Sequence, residues 1–538
     1  MTPSGARVAS LLVLVAFAAA GAAYWIARGV PVDMVAAPGG RIACVSYAPF
    51  RKPGESPFTP GYLVTPERLD EDLKALSRRF DCVRTYSVGQ GLDAVPAVAR
   101  RYGMKVLLGV WLSRNPVENA EELALATAIA KRDHDVIRAI VVGNEVLLRG
   151  ELPQRTIANH LREMKAATGL PVTYADVWEF WLKYREVAPA VDFITIHILP
   201  YWEDEPVPIE YAVDHVDAIY RQMQAAFPGR EFLIGETGWP SEGRQRWRAV
   251  PSLVNEARFF REFMRFVDRV RLPYNVIEAF DQPWKRKLEG TVGGYWGLYD
   301  DDLRDKFPLS GAVTEDARWW RGLVCGVAAA IVFVGFGLLA RRRAPGSLAA
   351  MAVRALAGFA TGAVGAAQVL HFLHANRDAF EWVLMTTVSG VAFVTAALVF
   401  ERIAGYIGRA ESPQPMTPMA SMFRRGGRIE AGLQAFWLVA VTIVNLLLVF
   451  DARYRDFPTL LFAPPIVAFA LLALLRPEAS WTAPREIEER LLVGALVLAA
   501  AVLVVLELPI NLASDLWASL CLVFAAAAWI NVAPSRRR

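Results

Sequence analysis

Two stretches, Ala139-Ile-Val-Val-Gly-Asn144-Glu145 and Phe232-Leu-Ile-Gly-Glu236-Thr-Gly-Trp-Pro240, decide the fold. Each is an apolar, largely β-branched run that stops at a glutamate. Such a run reads as a buried strand, with the acid placed where the strand emerges. In α/β barrels the C-terminal strand ends carry the chemistry. A lone glutamate at a strand end is more often a surface ion-pair partner. Two of them, each set in a Gly, Asn or Trp-Pro context, reverse that reading.

Working outward, strand-like runs recur at 42–47, 82–86, 105–111, 136–142, 172–174, 193–198, 231–235 and 274–280. Amphipathic segments at 66–80, 118–131, 156–167, 209–226 and 252–270 alternate with them. Eight strands with intervening helices in about 270 residues fit an α/β fold of the (β/α)8 TIM-barrel type. A doubly wound sheet normally carries a Gly-rich phosphate turn after its first strand. Here that position reads Tyr47-Ala-Pro-Phe-Arg51, which has no such turn.

The rest of the chain is of another kind. The 538 residues are 54% hydrophobic, and the excess is concentrated at the ends. Residues 1–27 read as an N-terminal transmembrane anchor or signal-like segment; Tyr24-Trp25-Ile26 prolongs the apolar run past its small residues and favours an uncleaved anchor. A linker at 28–40 leads to the barrel at 41–312. Residues 320–533 hold about seven further apolar spans, near 321–340, 349–370, 382–400, 432–450, 459–475, 491–507 and 512–532, and 534–538 form a basic tail. These spans read as an α-helical transmembrane bundle. Arg341–Arg343, Arg402, Arg409, Arg424, Arg425, Arg428, Arg476, Arg485, Arg490 and Arg536–Arg538 fall in alternate loops. The positive-inside rule then puts both termini in the cytoplasm and the barrel outside it, in the periplasm of a cell with an inner membrane. An even total of eight spans agrees.

The same distribution assigns the Arg residues to membrane topology, and a net charge of +4 gives no nucleic-acid signature. Arg354 and Glu507 lie close enough to span ends to snorkel. Cys44 and Cys82 start the first two strands. An oxidising compartment permits a bridge between them, but neighbouring strands often hold side chains in poor disulfide geometry, so the sequence leaves the bridge open and favours free thiols. His, Cys and carboxylate positions show no metal-ligand spacing, so no metal or other cofactor is expected.

Glu145 ends the fourth strand and Glu236 the seventh, facing each other across the barrel mouth. Carboxyls about 5–5.5 Å apart there suit a retaining glycosidase mechanism through a covalent glycosyl intermediate. Asn144 is placed to hold a sugar hydroxyl. Trp202, Trp239 and Trp284 follow strands, where a ring face can stack on a sugar; core packing is the competing use.

Val-Gly-Asn144-Glu145-Val and Gly-Glu236-Thr-Gly-Trp239-Pro240-Ser241 resemble the signatures of glycoside hydrolase family 17, which holds β-1,3-glucanases and glucanosyltransferases. Val-Arg84-Thr-Tyr86, His197-Ile-Leu-Pro200-Tyr201-Trp202 and Phe280-Asp281-Gln-Pro-Trp284-Lys285 extend the resemblance over 41–312. It implies Glu145 as general acid/base, Glu236 as nucleophile and Asn144 beside the cleaved bond, with Tyr47, Tyr201, Trp239 and Lys285 lining the cleft. The chain departs from the family pattern at His197, where Asn is common, and at Asp281-Gln282, where an Asn-Glu pair is common. It also resembles bacterial membrane-anchored β-(1,6)-glucan synthase-type proteins.

The reading that follows is a membrane-anchored retaining transglycosylase that elongates or branches β-1,3-glucan, β-1,6 linkages included. Its substrate is β-glucan, its surroundings membrane lipid, and a glucan synthase or export component is a candidate partner. A β-1,3-glucan endohydrolase using the same residues is the alternative, and a non-catalytic glucan-binding or export component the second. Asp300-Asp301-Asp302 with Arg244-Gln-Arg246-Trp247 superficially suits a nucleotide-sugar synthase. The order of those motifs is reversed, however, and both lie on the side away from nucleotide sugars.

Overall fold

The computed structural model describes residues 3–340, 347–409, 429–450, 455–475, 487–508 and 510–531. The chain forms two compact units, 32–313 and 1–31 with 314–538.

The first unit is a parallel barrel. Its strands are β1 (Val45–Ser46), β2 (Cys82–Arg84), β3 (Lys105–Val110), β4 (Ile137–Asn144), β5 (Val172–Val177), β6 (Ile194–His197) and β7 (Phe232–Glu236), each hydrogen-bonded to the next. The expected eighth strand at 274–280 closes the ring without forming a continuous ladder. Asn275 N donates to Ile234 O on one side, and Val276 N donates to Cys44 O on the other. Its later residues turn to Tyr299 instead, bridged from Phe280.

Alternation sorts the side chains. Val106, Leu108, Val110, Ile140, Val142, Val172, Tyr174, Ile194, Ile196, Phe232 and Ile234 pack outward among the helices in one large core. The inward set makes a smaller cluster of Cys44, Cys82, Leu107, Ala139, Val141, Ala175 and Leu233 near the strands' N-terminal ends. Further along, the same strands end in Ser46, Arg84, Asn144, His197 and Glu236, all buried. The barrel interior therefore passes from apolar to charged along its axis.

Three helices begin on side-chain caps that satisfy their first N–H groups: Thr65 before Pro66–Leu76, Asn115 before Pro116–Arg132 and Ser252 before Leu253–Val270. The segment after the closing strand is held by charge: Lys306 Nζ lies 3.0 Å from Asp281 and 3.2 Å from Glu256, both buried.

Cys44 and Cys82 are bridged, with Cα atoms 4.3 Å apart. This corrects the expectation of free thiols. The parallel pairing of β1 and β2 sets Val45 beside Val83, which brings the preceding two residues face to face inside the barrel.

The second unit is helical: Pro3–Gly29, Trp320–Ala340, Leu348–Ala375, Ala379–Arg409, Ile429–Phe450, Thr459–Leu474, Ile487–Leu506 and Leu512–Asn531. Among the described residues, seven helices are long and apolar enough to cross a membrane. The expected span at 459–475 is the exception. Its helix has 16 residues, about 24 Å at 1.5 Å per residue, against a hydrocarbon core of about 30 Å. Of the basic positions used for topology, Arg341–Arg343, Arg424, Arg425, Arg428, Arg476, Arg485 and Arg536–Arg538 lie outside the described residues.

Neither Arg354 nor Glu507 snorkels. Arg354 makes a two-pronged ion pair with Glu401 at 2.6 and 2.7 Å. Glu507 takes Arg455 at 2.7 Å and Asn511 at 2.9 Å. Both charges find partners on neighbouring segments, which removes the need to reach the interface. Gly358 and Gly362 let Leu348–Ala375 approach Trp320–Ala340. A Cβ at these positions would lie 2.7 Å from Ala329 O and 2.5 Å from Cys325 O.

Candidate active site

The two glutamates meet at the charged end of the barrel. Glu236 is the last residue of β7, and Glu145 follows β4 directly. Both strand ends are irregular: register shifts fall between Val141 and Asn144 on β4 and between Ile196 and His197 opposite β7. Bulges of this kind re-aim side chains beside functional sites. The turn out of β4 is tight, with φ of 90° at Gly143 and 53° at Glu145. A Cβ at position 143 would lie 2.9 Å from Val146 Cγ2, so only glycine fits. Glu145 itself occupies the left-handed region, at a cost of about 1–3 kcal/mol that the surrounding fold supplies.

An oxygen of Glu145, an oxygen of Glu236 and a ring nitrogen of His197 all lie within 4.8 Å of one another. Arg84, inward-facing on β2, organises the group. Its Nη1 donates to Glu236 Oε1 at 2.9 Å and to Gly235 O at 3.0 Å, and its Nη2 donates to Asn144 Oδ1. Arg149 caps the other side, donating to Asn144 O and to Leu112 O, with its guanidinium 4.2 Å over the Trp111 ring. His197 Nδ1 lies 3.0 Å from Glu145 Oε1. Burial works to raise the Glu145 carboxyl. The His197 hydrogen bond and the charges of His197, Arg149 and Arg84 outweigh it, and Glu145 sits below the usual carboxylate range.

Two further acids surround the pair. Asp176 on β5 accepts from the Tyr174 hydroxyl, and burial pushes it up to about 6. Glu278, fully buried on the closing strand, takes Lys285 Nζ at 2.8 and 2.9 Å. Burial raises Glu278 to about 7, against the pull of Lys285. For Lys285 burial opposes the charge, but Glu278, Glu289 and Glu236 together keep the ammonium above its ordinary value.

Of the residues nominated from sequence, Glu145, Glu236, Asn144 and Lys285 converge here. Trp202 and Trp284 are partly exposed. Trp202 stacks on Trp296 at 19° between planes, and Trp284 Nε1 donates to Gln282. Tyr47, Tyr201 and Trp239 correct the reading of a cleft lining: all three are wholly buried. The Tyr47 hydroxyl donates to Asp72, the Tyr201 hydroxyl to Arg244 O, and Trp239 Nε1 to Val250 O. Their rings serve the packing that supports the mouth.

Sequence reasoning did not nominate Arg84, Arg149, His197, Tyr86 or Glu278. The available signal was a charge inside an apolar strand, as in Cys-Val-Arg84 and Val-Ile-Glu278-Ala-Phe. Glu145, His197 and Glu236 also come together from three different strand ends, a convergence that their spacing in sequence does not show. The guanidinium of Arg84 already holds Glu236, so a dication bound there would meet a fixed positive charge.

Residues 44–297 match the family model for the BtgE/BtgC glycoside hydrolase domain. A glucan 1,3-beta-glucosidase of Schizosaccharomyces pombe is 29% identical over 273 residues, 48% of this chain and 83% of that protein. The glucan 1,3-beta-glucosidase BGL2 of Candida albicans is 26% identical over 263 residues, 45% of this chain and 85% of that protein. The solved family 17 β-1,3-glucanosyltransferase of Rhizomucor miehei is 25% identical, covering 50% of this chain and 98% of that one, with a TM-score of 0.44. These likenesses support a family 17-like glycoside hydrolase domain at the barrel. The chain is accordingly an enzyme of the glycosidase or transglycosylase kind.

Proposed function

We propose that the chain is a membrane-anchored, retaining β-glucan transglycosylase acting on β-1,3-glucan. The observation that carries this reading is the pair of strand-end carboxylates, with oxygens within 4.8 Å, inside a domain whose curated relatives are named glucan 1,3-beta-glucosidases. That spacing belongs with the retaining arrangement, about 5–5.5 Å, rather than the inverting one.

Glu236 attacks the anomeric carbon and forms the glycosyl ester as the glycosidic C–O bond breaks. Glu145 gives its proton to the departing oxygen. In the second step a sugar hydroxyl attacks the same carbon, its proton returns to Glu145, and Glu236 is released. Arg84 holds Glu236 in place through its Nη1 and fixes Asn144 beside it. Trp202 and Trp284 offer ring surface to the glucan.

Apolar helices on the same chain favour remodelling of newly exported glucan over digestion. The alternating Arg-rich loops support an inner-membrane location with the barrel in the periplasm and both termini in the cytoplasm. A glucan synthase or export component is the partner such a location favours, and β-1,6 branching is a product such a transferase can form.

Purified full-length protein given laminari-oligosaccharides is the test, with linkage analysis of products. Products longer than the substrate are expected. Exclusively shorter ones would replace transfer with endohydrolysis. Unchanged turnover in Glu236→Gln would remove the catalytic reading altogether and leave a glucan-binding role.

A further inference from the structure

The acid step needs a proton on Glu145, yet the site holds that carboxyl below the usual range. The resolution lies in His197. It ends β6, paired in register with Glu236 on β7 and Val177 on β5. Its side chain is fully buried. Nδ1 lies 3.0 Å from Glu145 Oε1 and 3.7 Å from Glu236 Oε2. Nε2 is buried with no hydrogen-bond partner among the described residues. A Cβ on Gly235 would lie 2.9 Å from the ring's Cδ2 and 3.1 Å from Nε2. The missing side chain at 235 is what lets the ring lie there, with Nδ1 as its one polar outlet.

We propose that His197 and Glu145 hold one mobile proton between them, and that this shared proton is the one delivered to the leaving oxygen. The inference rests on the retaining reading above. His197 is then a positioning residue that touches no substrate atom and sets the proton content of Glu145.

The balance is as follows. In the resting site the ring carries both protons, and Nδ1–H donates to ionised Glu145. Substrate covers the quarter-exposed Glu145 carboxyl and removes its water. A less polar cleft favours moving the proton from Nδ1 to Oε1, because two charges become none. The torsion at a carboxyl is soft, so rotation presents the proton to the glycosidic oxygen, which departs as a hydroxyl while Glu236 forms its bond. The acceptor hydroxyl later loses its proton to Glu145, and the pair returns to its starting state. Nε2–H is present throughout, so its lack of a partner affects both states equally.

The charged and titratable groups around the ring all belong to the site. They are Glu145 and Arg149 beyond β4, Tyr174 and Asp176 on β5, Glu236 on β7, Arg84 and Tyr86 by β2, and Glu278 with Lys285 behind Glu236. The proton is therefore the property of a coupled group, and a pH profile reads it macroscopically.

His197→Asn keeps a hydrogen-bond donor but cannot hold the proton. In the full-length enzyme on laminari-oligosaccharides, the alkaline limb of kcat/KM should move to lower pH by about one unit or more, because Glu145 must then keep the proton with carboxylate affinity alone. A uniform fall in rate with an unmoved limb would overturn the proposal. A second readout is independent of turnover. The chain has 6 histidines, so 15N-histidine labelling in detergent gives few ring signals, and the one lost in His197→Asn is that of His197. Its nitrogens should lose a proton at lower pH in Glu145→Gln than in wild type; identical titrations would also overturn the proposal. Failure of the underlying reading is distinguishable, since it appears as Glu236→Gln retaining full activity whatever His197 does.

Discussion

The two ends of the barrel are built from the same strands and do opposite things with them. At the C-terminal ends, Arg84, Asn144, His197 and Glu236 are buried; Arg84 donates to Glu236 and Asn144, and His197 pairs with Glu145. At the N-terminal ends, Cys44, Cys82, Leu107, Ala139 and Leu233 form an apolar floor closed by a disulfide. A hollow of about 1100 Å³ opens at that floor, lined by Arg41, Cys44, Arg138, Phe193, Leu233 and Tyr274. That hollow lies at the end without the paired acids. In the proposed function the converged charge at the strand ends carries catalysis, and the floor serves stability.

That division is open to direct attack. Glu236→Gln should cost at least about 10⁴-fold in turnover on laminari-oligosaccharides. Arg84→Met should cost about 3–5 kcal/mol of stability in denaturant titration, because it strands a buried carboxylate. At the floor, the double variant Cys44→Ser with Cys82→Ser should lose about 2–4 kcal/mol while keeping the kcat of wild type. A loss of kcat comparable to that of Glu236→Gln would erase the distinction between the two ends.

A smaller effect concerns pH. Burial is the largest influence on Glu256, pushed to about 8, on Glu278, to about 7, and on Asp72, Asp176 and Asp281, each to about 6. Carboxyls raised in the folded state bind protons that the unfolded chain has released. Their contribution is full below the unfolded values near 4 and is lost as pH rises through the folded values. The thermal midpoint should therefore fall between pH 5 and about 8.5, and Glu256→Gln should flatten the upper part of that slope. Smallest of all, Arg138→Ala on the rim of the hollow should change stability by no more than about 0.5 kcal/mol and leave activity unmoved. A larger loss of turnover would give the floor a functional role.

Much of the mouth was legible because Glu145 and Glu236 interrupt apolar runs, and strands four and seven could be counted to them. The order of the first seven strands was legible for the same reason. The closing strand was overdrawn, since its hydrogen bonds are divided among β7, β1 and Tyr299. Arg84, His197 and Glu278 were hidden by distance in sequence, because their partners lie on other strands. Tyr47, Tyr201 and Trp239 show the converse limit. Membership of a motif does not say whether a ring faces the cleft or the core, and theirs face the core. Arg354 and Glu507 were misread because a single helix does not reveal that Glu401 or Arg455 waits on another segment.

The register shifts at the ends of β4 and β6 carry a consequence for how this domain tolerates change. Strand side chains alternate with a period of two, so a deletion or insertion of one residue just before Asn144 or Glu236 would turn the acid from the lumen towards the helices. Substitutions at 141–143 or 233–235 can be graded by size. A frame-preserving indel there is all or nothing. In a library of single-codon deletions, those two short windows should be the most sharply intolerant in the barrel, even though most of their residues never touch a sugar.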